Sequence, residues 1–305
     1  LNRLNGDAMD DFISVVIPTY NSSRYIVDTI LSISDYYPEE KLDVILVDDC
    51  SEDIQDLKQL ITQFDFVRVC EKTKKTNAAD SRNIGIKEAK YNYIFLLDSD
   101  DLYTDGYLKH RVALMNSSFS GSIFFGAFIE VSENKEEKLI CNTYNGEDIR
   151  DYIFLKKGDF RTSTISINKS RFKPTMFDPL QFKHQDWGFG IRAYDNKENI
   201  IFDEQPFVKI CSGRHRQMSS RMNIDASDYF LRNYLIDVKY RLYFIRIHYV
   251  NSIIQRDKKA LIFFDGILKD CALSTRDKFR YFILKKMHSK ILFSVSPMLL
   301  QYLKK

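Results

Sequence analysis

The sequence predicts an α/β fold built from parallel βαβ units, followed by a mainly helical, basic region. Three observations carry this. Short apolar runs alternate with segments of helical spacing through the first hundred residues. The strand runs are almost unbroken in apolar residues, as expected where helices cover both faces of a sheet. From about Asp225 onward the pattern becomes helical and the charge balance reverses.

Phe12 to Pro18 is the first strand and ends in Pro18-Thr19-Tyr20-Asn21; residues 22 to 34 then carry Tyr25, Ile26, Ile30 and Ile33 at helical spacing. Leu42 to Val47 is the second strand, ending in Asp48-Asp49, and Ile54, Leu57, Leu60 and Ile61 mark the next helix. Phe66 to Cys70 is the third strand, residues 77 to 90 a helix, and Tyr93 to Leu97 the fourth strand. Ile123 to Val131 reads as one further strand, Ser132 to Cys141 as a hairpin, and residues 161 to 168 as a half-buried strand. Lys173 to Phe189 reads as a loop holding Trp187, with a helix from about Gly188 to Tyr194. Beyond Asp225, Tyr229, Phe230, Leu235, Tyr240, Phe244 and Ile247 are among the apolar positions of the helical part.

Residues 221–305 hold 17 Lys and Arg against 7 Asp and Glu, a surplus of +10, whereas the remainder is −7. Such a basic, aromatic-rich region suits an anionic membrane surface, an acidic polymer, a second subunit or a solvated helical face. No motif accompanies the charge, so nucleic acid is disfavoured as a partner. The uncharged segment 291–303 is too short to span a bilayer and contains Pro297, so it would lie on a surface. The five cysteines are scattered, with no CxxC pair, which predicts a reduced, cytoplasmic protein, peripheral at most on the inner face of the cell membrane. Residues 1–10 show no signal pattern and are set outside the fold, as disordered or cloning residues; residues 11–220 form the α/β domain and 221–305 the helical region.

Leu96-Leu97-Asp98-Ser99-Asp100-Asp101 places three carboxylates at the mouth of a buried strand. Mutual repulsion makes that arrangement costly unless a cation offsets it, and carboxylates are hard ligands suited to Mg2+ or Mn2+ together with substrate phosphates. Ligands of such sheets bind beyond the carboxyl ends of the strands. That rule gathers Pro18 to Asn21, Asp48-Asp49 and Asp98 to Asp101 into one crevice.

The pieces ISVVIPTYN, VILVDDCSED, SRNIGIKEAKYNYIFLLDSDD and HQDWGFGIRA, in that order and spacing, resemble the inverting family 2 glycosyltransferases of GT-A fold, over roughly residues 12 to 220. The resemblance implies a GT-A, Rossmann-like domain of mixed sheet and sugar transfer from a nucleotide diphosphate sugar to an acceptor hydroxyl. A UDP-sugar donor and a glycan or lipid-linked glycan acceptor would be its partners, in bacterial surface polysaccharide assembly. It makes Asp186 the base, Asp100 the metal ligand, and Asp98 a donor contact or a ligand through water. Asp101 reads either as a metal or acceptor contact or as the cap of a helix beginning near Thr104. The roles of base and of cap of its own helix are not exclusive for Asp186; Trp187 and Phe189 beside it would raise its pKa by desolvation. Pro18, Thr19, Tyr20 and Asp49 would meet the nucleotide, with Asp48 holding the turn, and Asn77 and Arg82 are further donor-side candidates, Arg82 alternatively pairing with a carboxylate of the crevice. Arg214, His215 and Arg216 resemble a segment that closes over the donor, with His215 a metal or phosphate contact. Gln185 departs from the family pattern, which has an acidic residue before the base. A dehydrogenase or nucleotidylyltransferase would need a glycine-rich turn after the first strand, where Pro18-Thr19-Tyr20-Asn21 stands instead. A nucleotide-sugar hydrolase and a non-catalytic scaffold on the same fold are the remaining alternatives.

Overall fold

A computed structural model describes residues 11–211, 222–269, 271 and 273–287. The chain falls into two compact units, Leu1–Gln217 and Met218–Lys305.

The first unit opens with β1 (Ile13–Thr19), α1 (Ile26–Ser34), β2 (Leu42–Asp48), α2 (Ile54–Ile61), β3 (Val67–Glu71), α3 (Ala78–Glu88) and β4 (Tyr93–Leu96). β1 pairs in parallel with β2 and β4, and β2 in parallel with β3. Every residue of β2 is buried, as is every residue of β1 except Pro18, which is why both strands read as continuous apolar runs. The polar exceptions satisfy one another: Ser14 Oγ donates to Asp43 Oδ2 at 2.8 Å, and Arg68 Nε donates to Asp43 Oδ1 at 2.8 Å. α1 buries Ile26, Ile30 and Ile33 against the sheet. α3 approaches β1 so closely that a Cβ on Gly85 would lie 2.2 Å from Val16 Cγ1.

There follow β5 (Leu102–Tyr103), α4 (Tyr107–Ser117), β6 (Ile123–Gly126), β7 (Phe128–Val131), β8 (Glu137–Ile140), β9 (Ser166–Asn168), α5 (Gln185–Asp195), β10 (Ile200–Asp203) and β11 (Val208–Cys211). The larger sheet has the order β10-β6-β9-β4-β1-β2-β3, with β9 antiparallel to β4 and β6; the smaller has the order β5-β11-β7-β8. Arg111 pins α4 to the larger sheet. Only 1% of it is exposed; its Nε donates to Asp203 Oδ2 and its Nη1 to Thr164 O and Ser166 Oγ, each at 3.0 Å.

Five expectations need correction. The run 123–131 is two strands, β6 and β7, in different sheets. β6 ends at Gly126, where a Cβ would stand 2.3 Å from Asp203 O, and the next amide, Ala127 N–H, bonds that same oxygen; apolar continuity conceals the change of sheet. The strand expected over 161–168 is confined to β9, because Thr162–Thr164 form a 3-10 turn in which Thr164 Oγ1 returns to Arg161 O at 2.8 Å. α5 starts at Gln185, so Trp187 is helical and the N-cap is His184 in the left-handed region, not Asp186. α4 starts only after Gly106, at φ 84°, and β5 lies between it and Asp101, which therefore caps no helix. The hairpin read from Ser132 to Cys141 starts earlier: β7 precedes Ser132, and only the turn and β8 fall within that range.

The second unit contains α6 (Ile224–Asn233), α7 (Val238–Ile254), α8 (Lys258–Lys269) and α9 (Thr275–Met287). Asn223 caps α6 through Ala226 N–H at 3.0 Å, and Asp237 caps α7 through Lys239 N–H at 2.9 Å. Phe230, Phe244, Ile245, Ile253 and Phe264 are fully buried. Among the described residues no helix is long and apolar enough to cross a membrane; segment 291–303 lies outside them.

The Gly85–Val16 approach predicts that Gly85→Ala, which helix propensity alone would favour, destabilises the first unit by about 1–3 kcal/mol through overpacking. A lowered midpoint in denaturant unfolding, with the slope unchanged, is the expected result.

Candidate active site

Pro18 to Asn21, Asp48-Asp49 and Asp98 to Asp101 all stand at the carboxyl edge of the adjacent strands β1, β2 and β4. Val16 O accepts from Leu97 N–H on the β4 side and Thr19 O from Asp49 N–H on the β2 side. Alternation along a strand therefore turns the backbone of Pro18 toward β4, past the end of their pairing at Val16–Leu96. Proline lacks an N–H, and here none is needed.

Thr19, expected at the nucleotide, is turned inward: it is 1% exposed and its Oγ1 donates to Asp48 Oδ1 at 3.2 Å. Asp48 holds the turn, accepting from Ser51 N–H at 2.9 Å and from the Ser51 hydroxyl. Tyr20 is 41% exposed, with Lys75 Nζ 3.5 Å from its ring centroid. Asp49 is held by buried Lys72 at 2.7 Å and by Thr76 N–H at 2.7 Å, both on Oδ1. Asn77 is committed at both ends of its amide: Oδ1 caps α3 by accepting from Asp80 N–H at 3.1 Å, and Nδ2 donates to Pro179 O at 2.7 Å. That geometry makes it a brace between α3 and the loop before α5.

The three aspartates part company in the folded chain. Asp98 is half-exposed and receives Arg82 Nη2 at 2.6 Å. Asp101 is 4% exposed and accepts from Ser163 Oγ at 2.5 Å and from Cys211 N–H at 2.9 Å. Burial pushes its carboxyl well up, Asp98 and Asp100 push it further, and the two hydrogen bonds pull it down. Ser163 Oγ also accepts from Asp98 N–H at 3.1 Å, and Thr29 Oγ1 on α1 donates to Ser99 O at 2.9 Å. Asp100 keeps intermediate exposure.

Arg82 reaches further. Its Nη1 donates to Gln185 Oε1 at 2.9 Å, so one buried guanidinium joins Asp98 to the residue before Asp186. Asp186 lies in the first turn of α5 and accepts from Trp187 N–H at 2.9 Å. Protein packs around it while part of its surface stays open. Burial pushes it up to about 6; Arg161 opposes this, nearby Asp159 adds to it, and the Trp187 N–H and Arg82 hold it down. Arg161 Nε stands 3.0 Å from Asp159 Oδ1. Arg214, His215 and Arg216 lie outside the described residues.

Among the described residues no group of three or more His, Cys, Asp and Glu converges on one point as a metal cage. The hard carboxylates of Asp98 and Asp100 would suit an ion that takes one or two carboxylates and completes its shell with water and phosphate.

Lys72, Ser163, Asp159 and Arg161 were not picked out from the sequence. Lys72 follows β3 directly, so the strand-end rule applied to the third strand would have found it. Ser163, Asp159 and Arg161 sit in irregular chain with no such marker.

The model for glycosyl transferase family 2 matches residues 14–178. The amylovoran biosynthesis glycosyltransferase AmsB of Erwinia amylovora is 30% identical over 211 residues, 64% of this chain and 68% of that protein. The poly(ribitol-phosphate) beta-N-acetylglucosaminyltransferase TarS of Staphylococcus aureus is 29% identical over 227 residues, 71% of this chain and 38% of that protein. A crystal structure of S. aureus TarS residues 1–349 in complex with UDP-GlcNAc superposes with a TM-score of 0.65 at 17% identity, covering 96% of this chain and 88% of that one. The fold is GT-A.

Removing Arg82 leaves Asp98 uncompensated beside two further carboxylates. Arg82→Ala is expected to cost about 1–3 kcal/mol of stability, discounted from the fully buried case because Asp98 is half-exposed. Arg82→Lys, which keeps the charge but reaches only one partner, is expected to fall between it and the wild type in thermal unfolding.

Proposed function

We propose, the chain being a glycosyltransferase that belongs to glycosyl transferase family 2, that it transfers a sugar with inversion from a UDP-sugar to an acceptor hydroxyl in surface polysaccharide synthesis. The observation that supports this most is the Arg82 span. It couples the carboxylate on the diphosphate side, Asp98, to Gln185, the neighbour of the proton acceptor Asp186. The two ends of an in-line displacement are thereby held in a fixed relation.

In this reading the acceptor oxygen attacks the anomeric carbon as its proton passes to Asp186. The bond from that carbon to the diphosphate oxygen breaks, and its electron pair leaves with UDP. A carboxyl raised to about 6 is still ionised at neutral pH, yet more basic than an ordinary aspartate. Asp100 and Asp98 would hold a Mn2+ or Mg2+ ion, which when bound neutralises charge on the departing diphosphate. Asp49 has Oδ2 left to accept the uracil imide N–H, and Tyr20 offers a face to the base. The UDP-sugar reading draws on the UDP-GlcNAc bound by TarS, and the glycan or lipid-linked acceptor on the polymers named for AmsB and TarS. With such an acceptor, the basic second unit would work at the inner face of the membrane.

Asp186→Asn is expected to lower kcat by roughly 100- to 10,000-fold while leaving UDP binding intact. Because only the ionised carboxylate accepts the proton, wild-type kcat should rise with pH, be half-maximal near about 6 and level off above it; a profile flat from pH 5 to 8 would remove Asp186 from the role. Asp100→Asn should abolish the Mn2+ dependence of UDP-sugar binding in calorimetry. A screen in which GDP- or CMP-sugars bind and UDP-sugars do not would overturn the assignment of Asp49.

A further inference from the structure

The second unit contains a cavity of about 250 Å3 between α7 and α9. Its walls repeat one pattern: α7 contributes positions 239, 242, 243 and 246, and α9 positions 277, 280, 281 and 284. Both sets follow the i, i+3, i+4, i+7 spacing of a helix face made to bury against a neighbour. An ordinary seam of this kind is filled with apolar side chains. Here Tyr281 holds the helices together, its hydroxyl donating to Leu242 O at 3.2 Å, but Lys239, Arg246 and Arg280 also line the space, with Asp277 as the single acid.

That acid does little to neutralise the two arginines. Arg280 Nη1 stands 3.8 Å from Asp277 Oδ1, while Asp277 Oδ2 accepts from Ser274 Oγ at 2.5 Å. Arg246 lies with its guanidinium carbon 4.5 Å from the Tyr243 ring centroid, and its Nε is buried without a hydrogen-bond partner. A guanidinium fork matches the oxygens of a carboxylate or a phosphate, and two such forks on facing helices, against one acid, suit the higher charge and the several oxygens of a phosphate monoester. The apolar walls, among them Leu242 and Leu284, suit a carbon substituent beside the charge. We propose that this cavity binds a phosphate ester, with Arg246 and Arg280 taking the phosphate oxygens and the leucines facing the esterified carbon chain. The ester would come either from a lipid headgroup or from a soluble molecule. Nothing in this depends on the catalytic reading, and its readout is binding, so failure of one leaves the other standing.

The test uses the full chain and two probes: glycerol 3-phosphate in solution, and phosphatidylcholine vesicles with and without phosphatidic acid. Arg246→Gln/Arg280→Gln is expected to weaken phosphate-ester binding roughly tenfold or more. Lys258→Gln/Lys259→Gln, which removes the same charge from the exposed start of α8, should change it less than about twofold. Binding of glycerol 3-phosphate identifies a soluble ester as sufficient; binding only to phosphatidic acid vesicles identifies a surface-presented headgroup. If the double variant fails to fold, the half-exposed Arg280→Gln alone carries the test. The proposal is overturned if neither probe binds, or if the α8 control loses as much affinity as the cavity variant, since that would reduce the effect to general attraction of a basic surface.

Discussion

Three aspartates within four residues cannot share the dry end of a strand unless each is compensated separately, and the carboxyl edge of the sheet is arranged around that constraint. Asp98 takes a buried arginine from α3, and Asp101 takes a hydroxyl and a backbone N–H from two segments far along the chain. Asp100 sits between them with intermediate exposure. Compensation is thus also construction, because each partner comes from a different element. Satisfying the charges fixes α3, the 3-10 turn at Thr162–Thr164 and the end of β11 around one point.

Arg82 extends the same logic across the crevice. Its second contact is a neutral amide, Gln185, where an acidic residue would be expected from the family pattern. A carboxylate there would place a second negative charge beside Asp186 and raise it further. Glutamine accepts the arginine hydrogen bond without adding charge, so that burial, and not a neighbouring anion, is the main cause of the perturbation. The geometry of a charged pair is kept while the proton affinity of the adjacent group is set independently.

The first half of the fold was legible because β1 to β4 and the helices between them obey the two periodicities that burial imposes. What the sequence concealed lies where periodicity is indifferent to the outcome. Residues 123–131 are apolar whether they belong to one sheet or two; only the close approach of Gly126 to Asp203 O decides the matter. Residues 161–168 alternate convincingly, yet threonine hydroxyls compete for the backbone and turn the first half into a 3-10 turn. At the site, the Asp98–Asp101 cluster, Asp49 and Arg82 could be picked out because charge at a strand end or within a helix pattern is conspicuous. Thr19 and Asn77 were placed at the ligand by position alone. Their short side chains are consumed by partners, Asp48 and Pro179, that no local pattern announces. Ser163 was invisible for the converse reason, being a small residue whose importance comes wholly from two groups more than sixty positions away.

Pro18 has a consequence for how a ligand would be received. A residue with an N–H at that position would carry a donor facing the gap beyond β4, and that donor would tend to recruit an acceptor and draw the two strands together. Proline removes the temptation covalently. The separation of β1 from β4 at their carboxyl ends is then a property of the resting backbone, requiring no ligand to pry it apart and no ordering entropy at that point when one arrives.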